Sequence, residues 1–108
     1  MKIWIDDVRE APEGYVWCKS VWEAQSTIRY AEWFCKAYPN TKTKNSIELI
    51  DIDHDAGDYS TDGGDYIKLL DWLEETDRDY PIRIHSQNPV GVENMRRIIQ
   101  RNGWEEVF

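Results

Sequence analysis

Three short apolar runs in this chain each end in a burst of ionisable or hydroxyl side chains: Asp6-Asp7, then Asp53-His54-Asp55, then His85-Ser86. Runs of this length, rich in β-branched and aromatic residues, read as buried strands. In an open parallel sheet all strand ends of one polarity meet along one edge, so polar residues far apart in sequence converge on one pocket.

Residues 2–6 read as the first strand, and Asp7 to Gly14, with Pro12 and Gly14, as a loop. Tyr15 to Cys18 is a second short strand. Ser20, with Glu23 three residues later, forms a capping box that opens a helix whose inward stripe is Val21, Ala24, Ile28, Ala31, Cys35 and Tyr38, ending near Pro39. Trp22 and Trp33 lie outside that stripe; packing at the edge of the fold is the plain reading and a partner surface the sharper one. After a polar connector, Asn40 to Ser46, the run Ile47 to Asp53 is the most apolar strand and takes a central place. Ala56 to Asp62 is a loop, followed by a helix with Tyr66, Leu69, Leu70 and Leu73 inward. Pro81 to His85 is another strand. Asn88-Pro89 is a favourable N-cap and N1 pair for a last helix with Val92, Met95, Ile98 and Ile99 inward and Gly103 at its end. Trp104 to Phe108 supplies an edge strand.

Strands alternating with helices give an α/β domain of the flavodoxin-like class: a mainly parallel sheet of about five short strands with helices on its faces. A parallel crossover normally takes a dozen or more residues. The first connection is shorter, so either its helix is reduced to a loop or the second strand runs antiparallel. At 108 residues the chain, 1–108, is a single domain.

The net charge of -8 opposes binding to duplex DNA, because no Lys/Arg stripe is available to release counterions. It leaves room for a small phosphate held beside a bound cation, which reverses the local potential. Cys18 and Cys35 match no zinc or redox spacing and read as reduced, structural thiols. No apolar run reaches membrane length, and the cytoplasm is the expected compartment.

Asp6, Asp7 and Asp53, joined by Asp55, would form a hard oxygen site suited to Mg2+ or Mn2+. The two adjacent aspartates point to opposite faces of a regular strand, so only a bend could aim both at one ligand. His54 and His85 are the only histidines, and both fall at strand ends where ligands bind. Ser86 and the helix start near Gly91 suit a phosphate oxygen through a hydroxyl, backbone N–H groups and a positive helix end. Gly63-Gly64 can let backbone approach the same ligand.

An acidic pair after the first strand, an aspartate closing the central strand and a hydroxyl closing the next resemble the receiver domain of two-component signalling. Receivers also carry a lysine at a later strand end, and this chain has none after Lys68. A closer resemblance is to the cyclic-phosphate processing receiver domain family. Its blocks occur here in order as Asp6-Asp7-Val8-Arg9 with Pro12, Asp53-His54-Asp55-Ala56-Gly57, and His85-Ser86-Gln87-Asn88-Pro89-Val90-Gly91; Ala56 stands where a bulkier apolar residue is expected.

That resemblance implies a receiver-like fold and a metal-dependent phosphoesterase, a hydrolase acting on a small nucleotide or an RNA end that bears a cyclic phosphate. Asp53, His54 and His85 are then the expected catalytic residues, Arg9, Ser86, Asn88 and Gly91 the expected substrate contacts, and Asp6, Asp7, Asp53 and Asp55 the metal ligands. Either water or Asp53 itself would attack phosphorus. The alternative is a phosphate- or nucleotide-binding module without turnover.

Overall fold

The computed structural model describes residues 1–41 and 46–108, and most of the expected polar connector lies outside the described residues. Strands β1 (Lys2–Ile5), β2 (Tyr15–Cys18), β3 (Leu49–Ile52), β4 (Ile82–Ile84) and β5 (Glu106–Val107) form one sheet in the order β2-β1-β3-β4-β5. Every neighbouring pair is parallel. The direction of β2, open from sequence, is therefore parallel to β1, and residues 6–14 make that crossover without a helix.

Register decides what each face of the sheet presents. Ile3 lies beside Val16 and Ile50, Ile5 beside Cys18 and Ile52, and Ile50 beside Ile82. Side chains alternate along a strand, so this row shares one face. Helices α1 (Val21–Ala37), α2 (Ile67–Glu75) and α3 (Pro89–Asn102) all bury residues against it: Val21, Ala24 and Ile28; Leu69, Leu70 and Leu73; Met95, Ile98 and Ile99. Each fully buried aliphatic side chain contributes about 1.5–3 kcal/mol relative to exposure. The alternate row, Lys2 and Trp4, Tyr15 and Trp17, Leu49 and Asp51, Arg83 and Val107, faces the other way, and among these only Asp51 is buried. No described helix packs on that side, because the connection that would supply one is a loop.

Local signals set the helix ends. Ser20 Oγ accepts the Glu23 amide at 3.0 Å, Asn88 Oδ1 accepts the Gly91 amide at 3.0 Å behind Pro89, and Gly103 closes α3 in the left-handed region. Three expected core positions differ, the first being Cys35, which is only partly buried near the end of α1. Tyr38 is 53% exposed, because α1 has already ended and its cap residue leaves helical geometry. Val92 is only half buried, and Gly91 takes the inward position one residue earlier. Trp22 is exposed but abuts Gly63, where a Cβ would come within 2.8 Å of the indole. Trp33 is also exposed, in an aromatic group with Tyr30 and Tyr38 at centroid distances of 5.9 and 6.2 Å. Burial pushes the Cys18 thiol up to about 11, so at neutral pH it packs as a small apolar side chain.

Tyr66 ties α2 to the site edge of the sheet: its ring is fully buried and its hydroxyl donates to the Lys19 carbonyl at 2.7 Å. Tyr66→Phe keeps the ring and removes that bond. It is expected to cost about 1–2 kcal/mol in urea denaturation, and an unchanged midpoint would show that the hydroxyl contributes nothing net.

Candidate functional site

Ladder hydrogen bonds just beyond the strands gather the three polar clusters. The Asp53 amide donates to the Ile5 carbonyl at 2.9 Å, the His85 amide to the Ile52 carbonyl at 2.9 Å, and the Asp6 amide to the Cys18 carbonyl at 3.2 Å. Each strand-end residue is thus stitched to the neighbouring strand, and the clusters share one edge as the sequence pattern requires.

Asp6 itself makes the bend that the acidic pair needs. Its buried Oδ1 accepts the amides of Val8 and Arg9, both at 2.9 Å, and turns the chain sharply after β1. Carboxylate oxygens of Asp6, Asp7 and Asp53 then lie within 4.8 Å of one another, a group able to hold a metal ion. Asp53 is fixed in turn, its Oδ1 accepting the His54 amide at 2.8 Å.

The charges in this group are unequal. Burial acts to raise the pKa of Asp6, but the Arg9 and Val8 amides and His85 outweigh it and hold the carboxyl below its ordinary 3.8. Asp7 lacks that support: burial first, then the charges of Asp6 and Asp53, push it above the ordinary value. The two act oppositely on stability. Asp6 contributes stability present above pH 3.8 and lost as pH falls through its lowered value; Asp7 favours the fold at low pH and loses that contribution as pH rises through its raised value. Asp7→Asn is therefore expected to raise the Tm of the metal-free protein at neutral pH. The same change should abolish the Tm increase that millimolar magnesium produces in the parent protein. A parent Tm insensitive to magnesium would discard this carboxylate group as a cation site.

His85 sits between two carboxylates. Its Nδ1 lies 2.6 Å from Asp51 Oδ1 and its Nε2 3.0 Å from Asp6 Oδ2, while the ring stacks on Trp4 at 3.7 Å between centroids. Each ring nitrogen thus has a carboxylate oxygen within hydrogen-bond distance. His54 is placed differently. Its Nδ1 is 2.8 Å from Asp55 Oδ1, its Nε2 has no partner among the described residues, and its ring lies against Gly91. Any Cβ at position 91 would meet the ring at 2.5 Å from Cγ and 2.6 Å from Cδ2.

The remaining expected residues divide. Asp55 lies outside the Asp6, Asp7 and Asp53 group and instead joins His54 and Asp65, whose Oδ1 accepts the Ala56 amide at 3.0 Å. Ser86 borders the site, with Oγ accepting the Asn88 amide at 3.2 Å. Asn88 is occupied as the cap of α3, and the Gly91 amide is bonded to it; Val90 has the amide left without a partner among the described residues at this helix start. Arg9 is exposed, and its guanidinium has no partner among the described residues. Two participants escaped sequence analysis. Asp51 is fully buried inside β3, and Trp4 covers the His85 ring. The available signal was spacing: Asp51 and Asp53 are two apart, which on a regular strand puts both on one face.

The family model described as cyclic-phosphate processing receiver domain matches residues 1–101. No curated protein and no solved structure matches the chain. No described helix is long and apolar enough to cross a membrane.

Proposed function

The chain belongs to the cyclic-phosphate processing receiver domain family, and on that premise we propose that it is a metal-dependent phosphoesterase opening cyclic-phosphate nucleotides or RNA ends. The observation that carries this reading is the three-aspartate group beside a histidine, His54, that keeps one ring nitrogen for chemistry. The donor set is all oxygen and holds an Asp7 whose ionised form is disfavoured by its neighbours, which fits a hard cation. Asp6, Asp7 and Asp53 would hold magnesium or manganese, which when bound would supply positive charge against the phosphate.

Ring opening forms a bond from water oxygen to phosphorus, breaks one bond from phosphorus to a ribose oxygen, and delivers a proton to that oxygen. Asp55 orients His54 through Nδ1, so that Nε2 can move this proton. The Ser86 hydroxyl, the Val90 amide and the Arg9 guanidinium receive phosphate oxygens. His85 serves as a positioning residue, since both its nitrogens hold carboxylates and one of these anchors Asp6. Asp53, with Oδ1 already fixed by the His54 amide, acts as a ligand.

One observation favours capture without turnover as the second reading: with His85 fully bonded, a single imidazole must serve both water and leaving group. Phosphorus NMR of 2′,3′-cyclic nucleotides separates the two. The expected result is conversion of the cyclic resonance to a phosphomonoester, abolished by chelator and by Asp53→Asn. Tight calorimetric binding with unchanged substrate would establish capture instead, and neither binding nor turnover would reject both.

A further inference from the structure

We infer that the helix-free face of the sheet carries a nucleobase subsite built on Trp17 and Tyr15, contiguous with the strand-end carboxylates. The inference deepens the proposed function and rests on it for the placement of the phosphate.

Register puts Tyr15 beside Lys2 and Trp17 beside Trp4, so these aromatic residues share the face that no described helix covers. Trp4 is spent, stacked on His85 with its Nε1 donating to the Arg9 carbonyl at 2.9 Å. Trp17 and Tyr15 lie at the outer edge of the same face, partly exposed, on the edge strand β2. The Trp17 Nε1 donates to the Asp6 carbonyl at 2.8 Å, so its indole abuts the residue that opens the carboxylate group. A base stacked on Trp17 therefore lies within the span of one nucleotide from a phosphate at the strand ends.

Charge selects the occupant. The chain carries -8, yet among the described strand residues of this face the charged side chains besides buried Asp51 are Lys2 and Arg83, with Lys19 just after β2, while the loop that crosses at Trp4 adds Arg9, Glu10 and Glu13. Lys19 Nζ lies 4.5 Å from the Trp17 ring centre and Lys2 Nζ 5.6 Å from that of Tyr15. Both ammonium groups lie over a ring face, so a base stacks on the opposite face of Trp17 or displaces the Lys19 ammonium, which then meets its phosphate oxygens. The acidity elsewhere disfavours a long polyanion, so the occupant is the base of the nucleotide whose cyclic phosphate sits at the carboxylates.

The test is NMR of the assigned tryptophan indole N–H resonances, titrated separately with adenosine 2′,3′-cyclic phosphate, the base-free methyl riboside 2′,3′-cyclic phosphate, and adenosine. The nucleotide is expected to bind about tenfold to a hundredfold more tightly than the base-free compound and to move the Trp17 resonance. Tyr15→Ala should shrink that ratio without changing affinity for the base-free compound; Trp17→Ala should shrink it as well, and any fall in affinity for the base-free compound reports the lost bond to the Asp6 carbonyl. Equal affinities in the parent protein, or a ratio that survives in both variants, would overturn the subsite and leave the phosphate reading standing. Adenosine moving Trp17 while neither cyclic phosphate adds affinity would support the subsite and reject the phosphate placement. Binding of no probe rejects both, and indole shifts that depend on protein concentration alone would assign the face to a second copy of the chain.

Discussion

Asp51→Ala is expected to lower stability by about 3–5 kcal/mol in chemical denaturation. Asp51 is fully buried, with one carboxylate oxygen 2.6 Å from His85 Nδ1 and the other 3.5 Å from Arg83 Nη1. Removing it leaves a ring N–H pointing into a space lined by protein, with Trp4 closing one side and Asp6 holding the opposite nitrogen. The loss takes a buried partner from both His85 and Arg83 at once, and a buried polar group left without its partner keeps its desolvation cost. Asp51→Asn keeps an acceptor at the same place while removing the charge, and its loss should be clearly smaller. A stability within about 0.5 kcal/mol of the parent for Asp51→Ala, the range of an ordinary surface change, would mean that His85 is not held in the way its geometry describes.

His54→Ala is expected to reduce turnover of a 2′,3′-cyclic nucleotide by about 10²- to 10⁴-fold, the range for removing a positioned general acid or base. Binding should change little, because the proposed function gives His54 the proton transfer and leaves the phosphate to the carboxylates and the helix start. Asp55→Asn keeps the imidazole but weakens its orientation and should fall between the parent and His54→Ala. Gly91→Ala reaches the same end from the far side of the ring, since its Cβ would press on His54 Cγ; displacing the imidazole costs about 10²-fold if proximity is what it supplies. Steady-state kinetics on the three variants decide the matter. Undiminished kcat in His54→Ala would move proton transfer to another group.

Much of the fold was legible because its determinants are local. Ser20 with Glu23, Asn88 with Pro89, and Gly103 each satisfy orphan backbone groups within a few residues, so their roles are visible without tertiary information. The convergence of the three clusters was legible for a different reason: parallel pairing leaves strand ends of one polarity no other place to go. What sequence could not supply were relations across the sheet. The direction of β2 depends on how a short loop folds, and the sharing of one face by α1, α2 and α3 follows from that loop. Asp51 carries no signal within its apolar strand because its partners, His85 and Arg83, arrive from β4 and its end. Asp55 lies with His54 and Asp65, a second group able to hold a metal ion, apart from Asp6, Asp7 and Asp53, a distinction of direction that adjacency in sequence does not encode.

The helix missing from the first crossover also bears on how the chain finds its fold. No strand pair in this sheet can form as a hairpin, since all are parallel, and pairing must close a loop each time. Closure entropy grows with loop length, and residues 6–14 are the shortest connection between paired strands. The β1–β2 pair is thus the contact with the least entropy to overcome, and it brings Asp6 to the Cys18 carbonyl before β3 need be present. The same shortening that bares the aromatic face gives the search for the native topology its cheapest first step.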